Sequence, residues 1–136
     1  MATIPAGPDT PLIRTDFSDD RAWQDVARAA ATESAEGFRA NLALVDDLAF
    51  EDAAAAELAR SAAAGTRHAC LFVADRLTMT HAEHPLLCLA LRPVGRAFRI
   101  VPAELWGVEN NLTIANMDYE EFADAVDADG IFRGFR

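Results

Sequence analysis

The chain has 136 residues, enough for one domain that buries a core without disulfides or metals. It carries 22 acidic residues against 12 basic ones, all of them arginine, for a formal net charge of −10. That charge argues against nucleic acids and anionic membrane surfaces as partners and favours a basic or cationic one.

The start of the chain is rich in proline and glycine, so residues 1–10 are expected to form a flexible tail. Residues 11–136 are expected to form a single globular domain. The first residues lack a basic segment followed by an apolar one, which predicts no signal peptide. No apolar run approaches the roughly 20 residues of a membrane span. We therefore expect a cytoplasmic protein.

The first half of the chain alternates between predicted strands and helices. Residues 12–15 and 38–45 are predicted strands, and Ser18 is placed to cap a helix after the first of them. The alanine-rich residues 52–64 favour a second helix by propensity, which Gly65 ends. The first helix has one apolar face, formed by Trp23, Val26, Ala27 and Ala30.

Three further strands are predicted in the second half. Residues 70–74 and 86–91 are short apolar runs, typical of buried strands. Residues 97–101 complete a hairpin with the second run. Because Cys70 and Cys88 each lie within an apolar run, we predict buried free thiols.

Two helices are predicted to close the chain. Pro102 suits the first turn of a helix, and Asp118 followed by Glu121 has the spacing of a capping box. The resulting order is β-α-β-α-β-β-β-α-α. It predicts an α/β fold with a mixed sheet of about five strands and helices packed on it.

Two carboxylates directly follow predicted strands. Asp16 comes after the first strand and Asp75 after the third. In open α/β sheets, ligands bind outside the carboxyl ends of the strands. Both residues are therefore candidates if their strands are parallel neighbours. The alternative for Asp16 is a structural role, in which it bonds the backbone of the turn at residues 16–19.

The polar segment before the fourth strand carries His81 and His84. Either can act as a general acid or base near neutral pH, together with Asp75 or Glu104. Their spacing does not match the zinc-protease helix, in which the two histidines lie four residues apart. Glycine-rich phosphate motifs are also missing, so we predict no metal and no cofactor. The alternative is that both imidazoles only bond backbone groups in a polar loop.

Residues 104–121 combine acidic, aromatic and amide side chains, and no basic residue stands between Arg99 and Arg133. Buried amides need every donor and acceptor satisfied, so they hold either the fold or a ligand in fixed geometry. Both hypotheses stay open for the asparagines. Besides Asp16, the candidate ligand- or partner-binding residues are Glu104, Trp106, Glu109, Asn110, Asn111 and Asn116.

Four segments of the chain carry a resemblance to a known family. They are LIRTDFSDD at 12–20, THAEHPLL at 80–87, PAELWGVENNLTIANMDYEEFAD at 102–124 and FRGF at 132–135. The chain resembles a family of small actinobacterial proteins that is catalogued as a domain of unknown function. This resemblance implies a stand-alone domain and a high-GC bacterial origin. It implies no activity, cofactor or catalytic residue.

These observations favour a binding module of the accessory or immunity type, which recognises a protein or small ligand through residues 104–121 and 75–84. The alternative is an enzyme that acts on a small molecule by acid–base chemistry of His81 or His84 with Asp75 or Glu104. A third hypothesis is a homodimer formed through the aromatic and asparagine-rich stretch.

Overall fold

The fold is built on one mixed β-sheet with helices on both faces. A computed structural model describes residues 2–135, with 3₁₀ turns at Leu48–Phe50 and Pro102–Glu104. The strands within this range are β1 (Thr10–Arg14), β2 (Leu42–Val45), β3 (Cys70–Ala74), β4 (Leu86–Leu91), β5 (Val94–Ile100) and β6 (Ile131–Phe132). The helices are α1 (Asp20–Ala30), α2 (Ala55–Gly65), α3 (Arg76–Thr80), α4 (Leu105–Thr113) and α5 (Tyr119–Ala123).

The strands lie in the order β2-β1-β3-β4-β5-β6, which places β2 and β6 at the two edges. β1 runs parallel to both β2 and β3. β4 is antiparallel to β3 and to β5, and β6 is parallel to β5. The predicted α/β class, mixed sheet and hairpin are therefore confirmed, with one more strand than the sequence indicates.

The core has two layers because alternate side chains of a strand point to opposite faces of the sheet. In β3, Phe72 packs in the layer that contains α1, α4 and α5. Leu71 and Val73 pack in the layer that contains α2. All five β3 residues are buried, as expected of a strand covered on both faces. Cys70 and Cys88 are buried free thiols, as predicted.

β2 is shorter than the sequence indicates. The prediction covers residues 38–45, but the strand begins only at Leu42. The chain before it turns at Gly37, whose φ of 89° favours glycine. The Asn41 N–H then donates to the Glu109 carboxylate and not to a neighbouring strand. A side-chain acceptor thus takes the place of a strand partner for this N–H, although the Asn41 carbonyl still accepts the Thr10 N–H of β1.

Helix starts follow the prediction in part. Asp19, and not Ser18, caps α1, and its carboxylate accepts two N–H groups of the first turn. Ser18 lies one residue before the cap position, and its hydroxyl donates to Asp16. The predicted capping box of Asp118 and Glu121 is present at the start of α5.

Two short elements have no counterpart in the sequence prediction. α3 has five residues and begins with a capping box, in which Asp75 and Thr78 each bond the other's backbone N–H. β6 has two residues and pairs Ile131 with Arg99 of β5. Elements of one turn or one ladder step are too short to produce a recognisable periodic pattern.

The segment that the sequence predicts to be a tail takes part in the core. Residues 2–9 form neither a helix nor a strand. Ile4 is nevertheless buried in the core layer that contains α2. Among the described residues, no helix has the length and apolar character needed to cross a membrane.

Candidate functional site

Asp16 and Asp75 follow the carboxyl ends of two neighbouring parallel strands, β1 and β3, and so lie at the same end of these strands. β1 and β3 are neighbours, and the Thr15 N–H donates to the Ala74 carbonyl at 3.0 Å. Asp16 accepts the N–H and the hydroxyl of Ser18, each at 3.1 Å. Its carboxylate therefore holds a turn.

Asp75 also has a structural role. Its two oxygens accept hydrogen bonds from the Arg99 guanidinium at 3.0 and 2.7 Å, and Oδ1 accepts the N–H and hydroxyl of Thr78. Burial opposes ionisation of Asp75, but the bonds from Arg99 and Thr78 outweigh it and hold the pKa of the carboxyl below its ordinary value. A carboxylate held in this way is a weak base at neutral pH.

The two histidines of the polar loop bond backbone groups. Nδ1 of His81 accepts the Glu83 N–H at 3.0 Å. Nδ1 of His84 lies 2.9 Å from the Thr78 carbonyl oxygen, to which it must donate because a carbonyl only accepts. Within residues 2–135, no three His, Cys, Asp or Glu side chains are grouped to hold a metal ion.

Arg14, at the end of β1, is a charged residue that the sequence prediction does not single out. Its side chain is only 3% exposed, and the guanidinium forms ion pairs with Asp20 at 2.7 Å and Asp46 at 3.2 Å. It also lies 4.3 Å from the centre of the Phe17 ring. The available signal was an arginine inside an apolar strand, because a buried charge requires partners.

A shallow crevice of about 790 Å³ opens beside Arg14 at the strand ends. Asp20, Asp46 and Asp47 line it together with Leu48. This is the place where ligands bind in many open α/β sheets. In this protein the guanidinium and its carboxylate partners already engage one another there.

Glu109 is buried, with 1% exposure, and joins α4 to the β1–β2 part of the sheet. Its carboxylate accepts the Thr10 hydroxyl at 3.0 Å, the Asn41 N–H at 2.7 Å and the Thr113 hydroxyl at 2.5 Å. The Asn110 amide adds a bond at 3.3 Å. Glu109 therefore binds the protein's own donors.

The three asparagines secure the chain around α4. The amide nitrogen of Asn110 donates to the Arg39 carbonyl at 3.0 Å, and that of Asn111 to the Gly107 carbonyl at 2.7 Å. The amide nitrogen of Asn116 donates to the side-chain oxygen of Asn111 at 2.9 Å. These contacts support the scaffolding hypothesis for the amides.

The remaining two candidates of the stretch pack against other segments. The Trp106 ring stacks on Phe38, with centroids 6.2 Å apart and planes inclined by 16°. Glu104 lies against Gly134, where an added β-carbon would stand 2.7 Å from Glu104 Oε1. Of residues 104–121, the Trp106 ring is thus the candidate that borders an exposed apolar neighbour.

The surface that the sequence prediction misses is the outer edge of β2. Between residues 38 and 48, three large apolar side chains are exposed: Phe38 by 55%, Leu44 by 52% and Leu48 by 67%. Within residues 2–135, β2 has a neighbouring strand on one side only, so the backbone groups on its other side are open to pairing. Residues 38–48 are called the β2 edge below.

Comparison with known proteins gives a family and no activity. The family model described as "Domain of unknown function (DUF6924)" matches residues 9–135. A search of curated proteins found no match. The resemblance seen in the sequence is confirmed in this coarse form, and the actinobacterial origin stays a prediction. Because the match spans nearly the whole chain, the protein belongs to the DUF6924 family.

Proposed function

We propose that this domain is a protein-binding accessory module and that the β2 edge is its binding surface. One observation carries the proposal: an open strand edge coincides with the exposed side chains of Phe38, Leu44 and Leu48. Strand edges of this kind add a further extended chain, whose main chain supplies the hydrogen bonds. A role of the accessory or immunity type would act through such binding.

The polar candidates support binding over acid–base catalysis. Asp75 is bonded by Arg99 and caps a helix, whereas His81 and His84 bond backbone groups. A general base must offer an available lone pair to a substrate, and both carboxylate oxygens of Asp75 already accept hydrogen bonds from Arg99. Asp75 and one ring nitrogen of each histidine are thus used by the fold, whereas the side chains of Phe38, Leu44 and Leu48 are more than half exposed.

The β2 edge also indicates the chemistry of its partner. Asp46 and Asp47 follow the strand directly and are exposed, and the whole chain carries a net charge of −10. We infer an extended segment with an apolar side chain beside Leu44 and a basic one beside Asp47. Main-chain bonds then supply affinity, and the side chains at alternate positions supply specificity.

A synthetic peptide of alternating valine and threonine, with an arginine at each end, tests this proposal. We expect it to shift the backbone amide resonances of residues 41–47 in a nitrogen–proton correlation spectrum. The same peptide with glutamate at both ends should bind about tenfold more weakly, since like charges would meet at Asp47. Shifts confined to other parts of the chain would contradict the proposal.

A pair of matched variants separates the β2 edge from exposed apolar residues in general. Leu44→Lys places a charge on the strand edge, a change that natural proteins use to block edge pairing. Leu77→Lys makes the same change at a comparably exposed residue of α3. Peptide binding should be lost in the first variant and kept in the second. Equal binding by both variants would assign it to another surface.

A further inference from the structure

We propose that the occupant of the β2 edge is a second copy of this chain, paired antiparallel about a two-fold axis at Ala43. This inference rests on the proposed function of the edge and names its partner. The two six-stranded sheets would then join into one continuous sheet across the β2 strands. Two-fold pairing of identical surfaces is the commonest form of assembly in soluble proteins.

The backbone of β2 fits this arrangement. The Asn41 carbonyl accepts the Thr10 N–H of β1 at 2.9 Å, so this carbonyl points towards β1 and not towards the open side of β2. Because backbone polar groups alternate along a strand, the N–H and C=O of Leu42 and Leu44 face outwards. A two-fold axis at Ala43 sets Leu42 of one copy opposite Leu44 of the other. Each such pair exchanges two hydrogen bonds.

The same register makes the side chains complementary. Arg39 of one copy comes opposite Asp47 of the second copy, at both ends of the paired segment. The Arg39 side chain is exposed and forms no hydrogen bond or ion pair with any other residue in 2–135. Leu44 is covered by Leu42 of the second copy on the same face of the sheet. A dimer thus supplies the basic and apolar groups that the edge requires.

Other registers lose this complementarity. Moving the axis to Leu42 sets Arg39 opposite Val45, and moving it to Leu44 sets Arg39 opposite Ala49. Either shift leaves the arginine without its carboxylate, although the outward backbone groups still match. Ala43 also suits the axis sterically, because residues of a non-hydrogen-bonded antiparallel pair approach to about 4.5 Å between α-carbons.

The dimer is expected to be weak. A four-residue strand pair with flanking side chains falls below the roughly 1,200 Å² of stable interfaces, so association in the range of about 10–100 µM is expected. The net charge of −10 per copy adds repulsion. Measurements therefore need about 0.15 M salt, where the screening length is about 8 Å.

Cross-linking through an introduced cysteine tests the register directly. In Ala43→Cys the two thiols would face each other across the axis, so mild oxidation should give a covalent dimer on a non-reducing gel. The native Cys70 and Cys88 are buried and do not compete. Ala97→Cys, at an exposed alanine of β5, should stay monomeric. A cross-link in Leu44→Cys in place of Ala43→Cys would overturn the proposed register.

A charge exchange tests the ion pairs. Arg39→Glu and Asp47→Arg should each be monomeric by sedimentation, because like charges then meet at both ends of the edge. A mixture of the two variants should form heterodimers, since each chain supplies what the other requires. Continued self-association of either variant, or no association in the mixture, would overturn the proposal.

Asp47 also caps the Leu48–Phe50 turn through the Ala49 N–H, so the fold of Asp47→Arg is checked by circular dichroism. If that variant unfolds, Arg39→Glu placed in the Ala43→Cys chain decides the question, and it should abolish the covalent dimer. A chain that stays monomeric and uncross-linked but binds the arginine-ended peptide refutes the dimer and leaves the proposed function standing. A chain that neither self-associates nor binds the peptide refutes both the dimer and the proposed function.

Discussion

The two edges of the sheet differ in how they are protected. β6 has only two residues, and Arg133 beside it forms ion pairs with Glu83, Asp127 and Asp129 at 2.7–2.8 Å. β2 has four residues, and the exposed Leu44 lies within it. Short strands and charged side chains are the devices by which natural proteins prevent edges from pairing. The fold applies both at β6, whereas β2 is twice as long and its own four residues are uncharged.

The electrostatics around Arg133 show how the β6 edge is closed. Hydrogen bonds from Arg133 hold the pKa values of Glu83 and Asp129 below their ordinary values, and the same carboxylates raise the pKa of Arg133. Exposed ion pairs contribute little to the free energy of folding. Their effect here is to cover the edge with charge that an incoming strand would have to displace. The four residues of β2 itself carry no charge, which agrees with the proposal that a partner strand pairs there.

The largest loss of stability is expected when the aromatic ring of Phe132 in β6 is removed. Phe132 is buried and meets the rings of Phe98 and Phe122 edge-on, with centroids 6.4 and 5.4 Å apart. Phe132→Ala should lower the free energy of unfolding by about 4 kcal/mol, because it leaves a cavity between these rings. Urea unfolding followed by fluorescence measures this. Phe135→Ala, at a residue that is 58% exposed in the same ring cluster, should cost only about 1 kcal/mol.

A smaller loss in the free energy of unfolding is expected when the contact between α4 and the start of β2 is removed. Glu109→Ala leaves the Thr10 hydroxyl and the Asn41 N–H without their acceptor, which should cost about 3 kcal/mol. Faster hydrogen exchange at the Asn41 amide would place the effect at β2. Glu109→Gln keeps one acceptor oxygen and should cost less. If both variants exchange at the wild-type rate, Glu109 does not anchor the strand.

The smallest loss of stability at neutral pH is expected from a change at Tyr119, which packs beneath the centre of the sheet. Tyr119 donates to the Cys88 carbonyl at 2.9 Å, so Tyr119→Phe should cost about 1 kcal/mol at pH 7. Burial raises the pKa of Tyr119, so the unfolded chain releases the phenol proton first. The stabilisation by the neutral phenol is thus intact below about pH 10 and is lost as the pH rises further.

Urea unfolding at a series of pH values measures this decline. Burial likewise raises the pKa of Cys88. Its contribution to the free energy of unfolding therefore begins to decline above about pH 8.5, and it does so in the wild type and in the variant alike. The wild type should be more stable than Tyr119→Phe at neutral pH, and this difference in the free energy of unfolding should shrink as the pH rises above about 10. A gap that stays constant up to pH 11 would mean that the phenol titrates normally in the fold.

The elements of the fold that could be predicted are those with local signals. The helix face of Trp23, Val26 and Ala30 is buried as its spacing predicts, and the apolar runs of β3 and β4 form the centre of the sheet. Local patterns also identify the Asp118–Glu121 capping box. Such features depend on residues a few positions apart, which the sequence displays directly.

The candidate site could be predicted only in part, because its contacts are distant in sequence. The sequence identifies Glu109 as a candidate, but its hydrogen-bond partner Thr10 lies 99 residues away. Phe38 and Phe50 both follow polar or small residues, yet Phe38 is exposed and Phe50 is fully buried. Which strand lies at an edge is a property of the assembled sheet. No local pattern around Leu44 reports it.

The two buried thiols can serve as probes of the local opening of the sheet. Cys70 and Cys88 lie on the adjacent strands β3 and β4. Alkylating reagents attack the thiolate, and burial keeps the Cys88 thiol protonated by raising its pKa. Modification therefore proceeds only through molecules whose central strands have separated. The rate at which the protein gains mass in such a reagent therefore measures the local opening of β3 and β4, and no added label is needed.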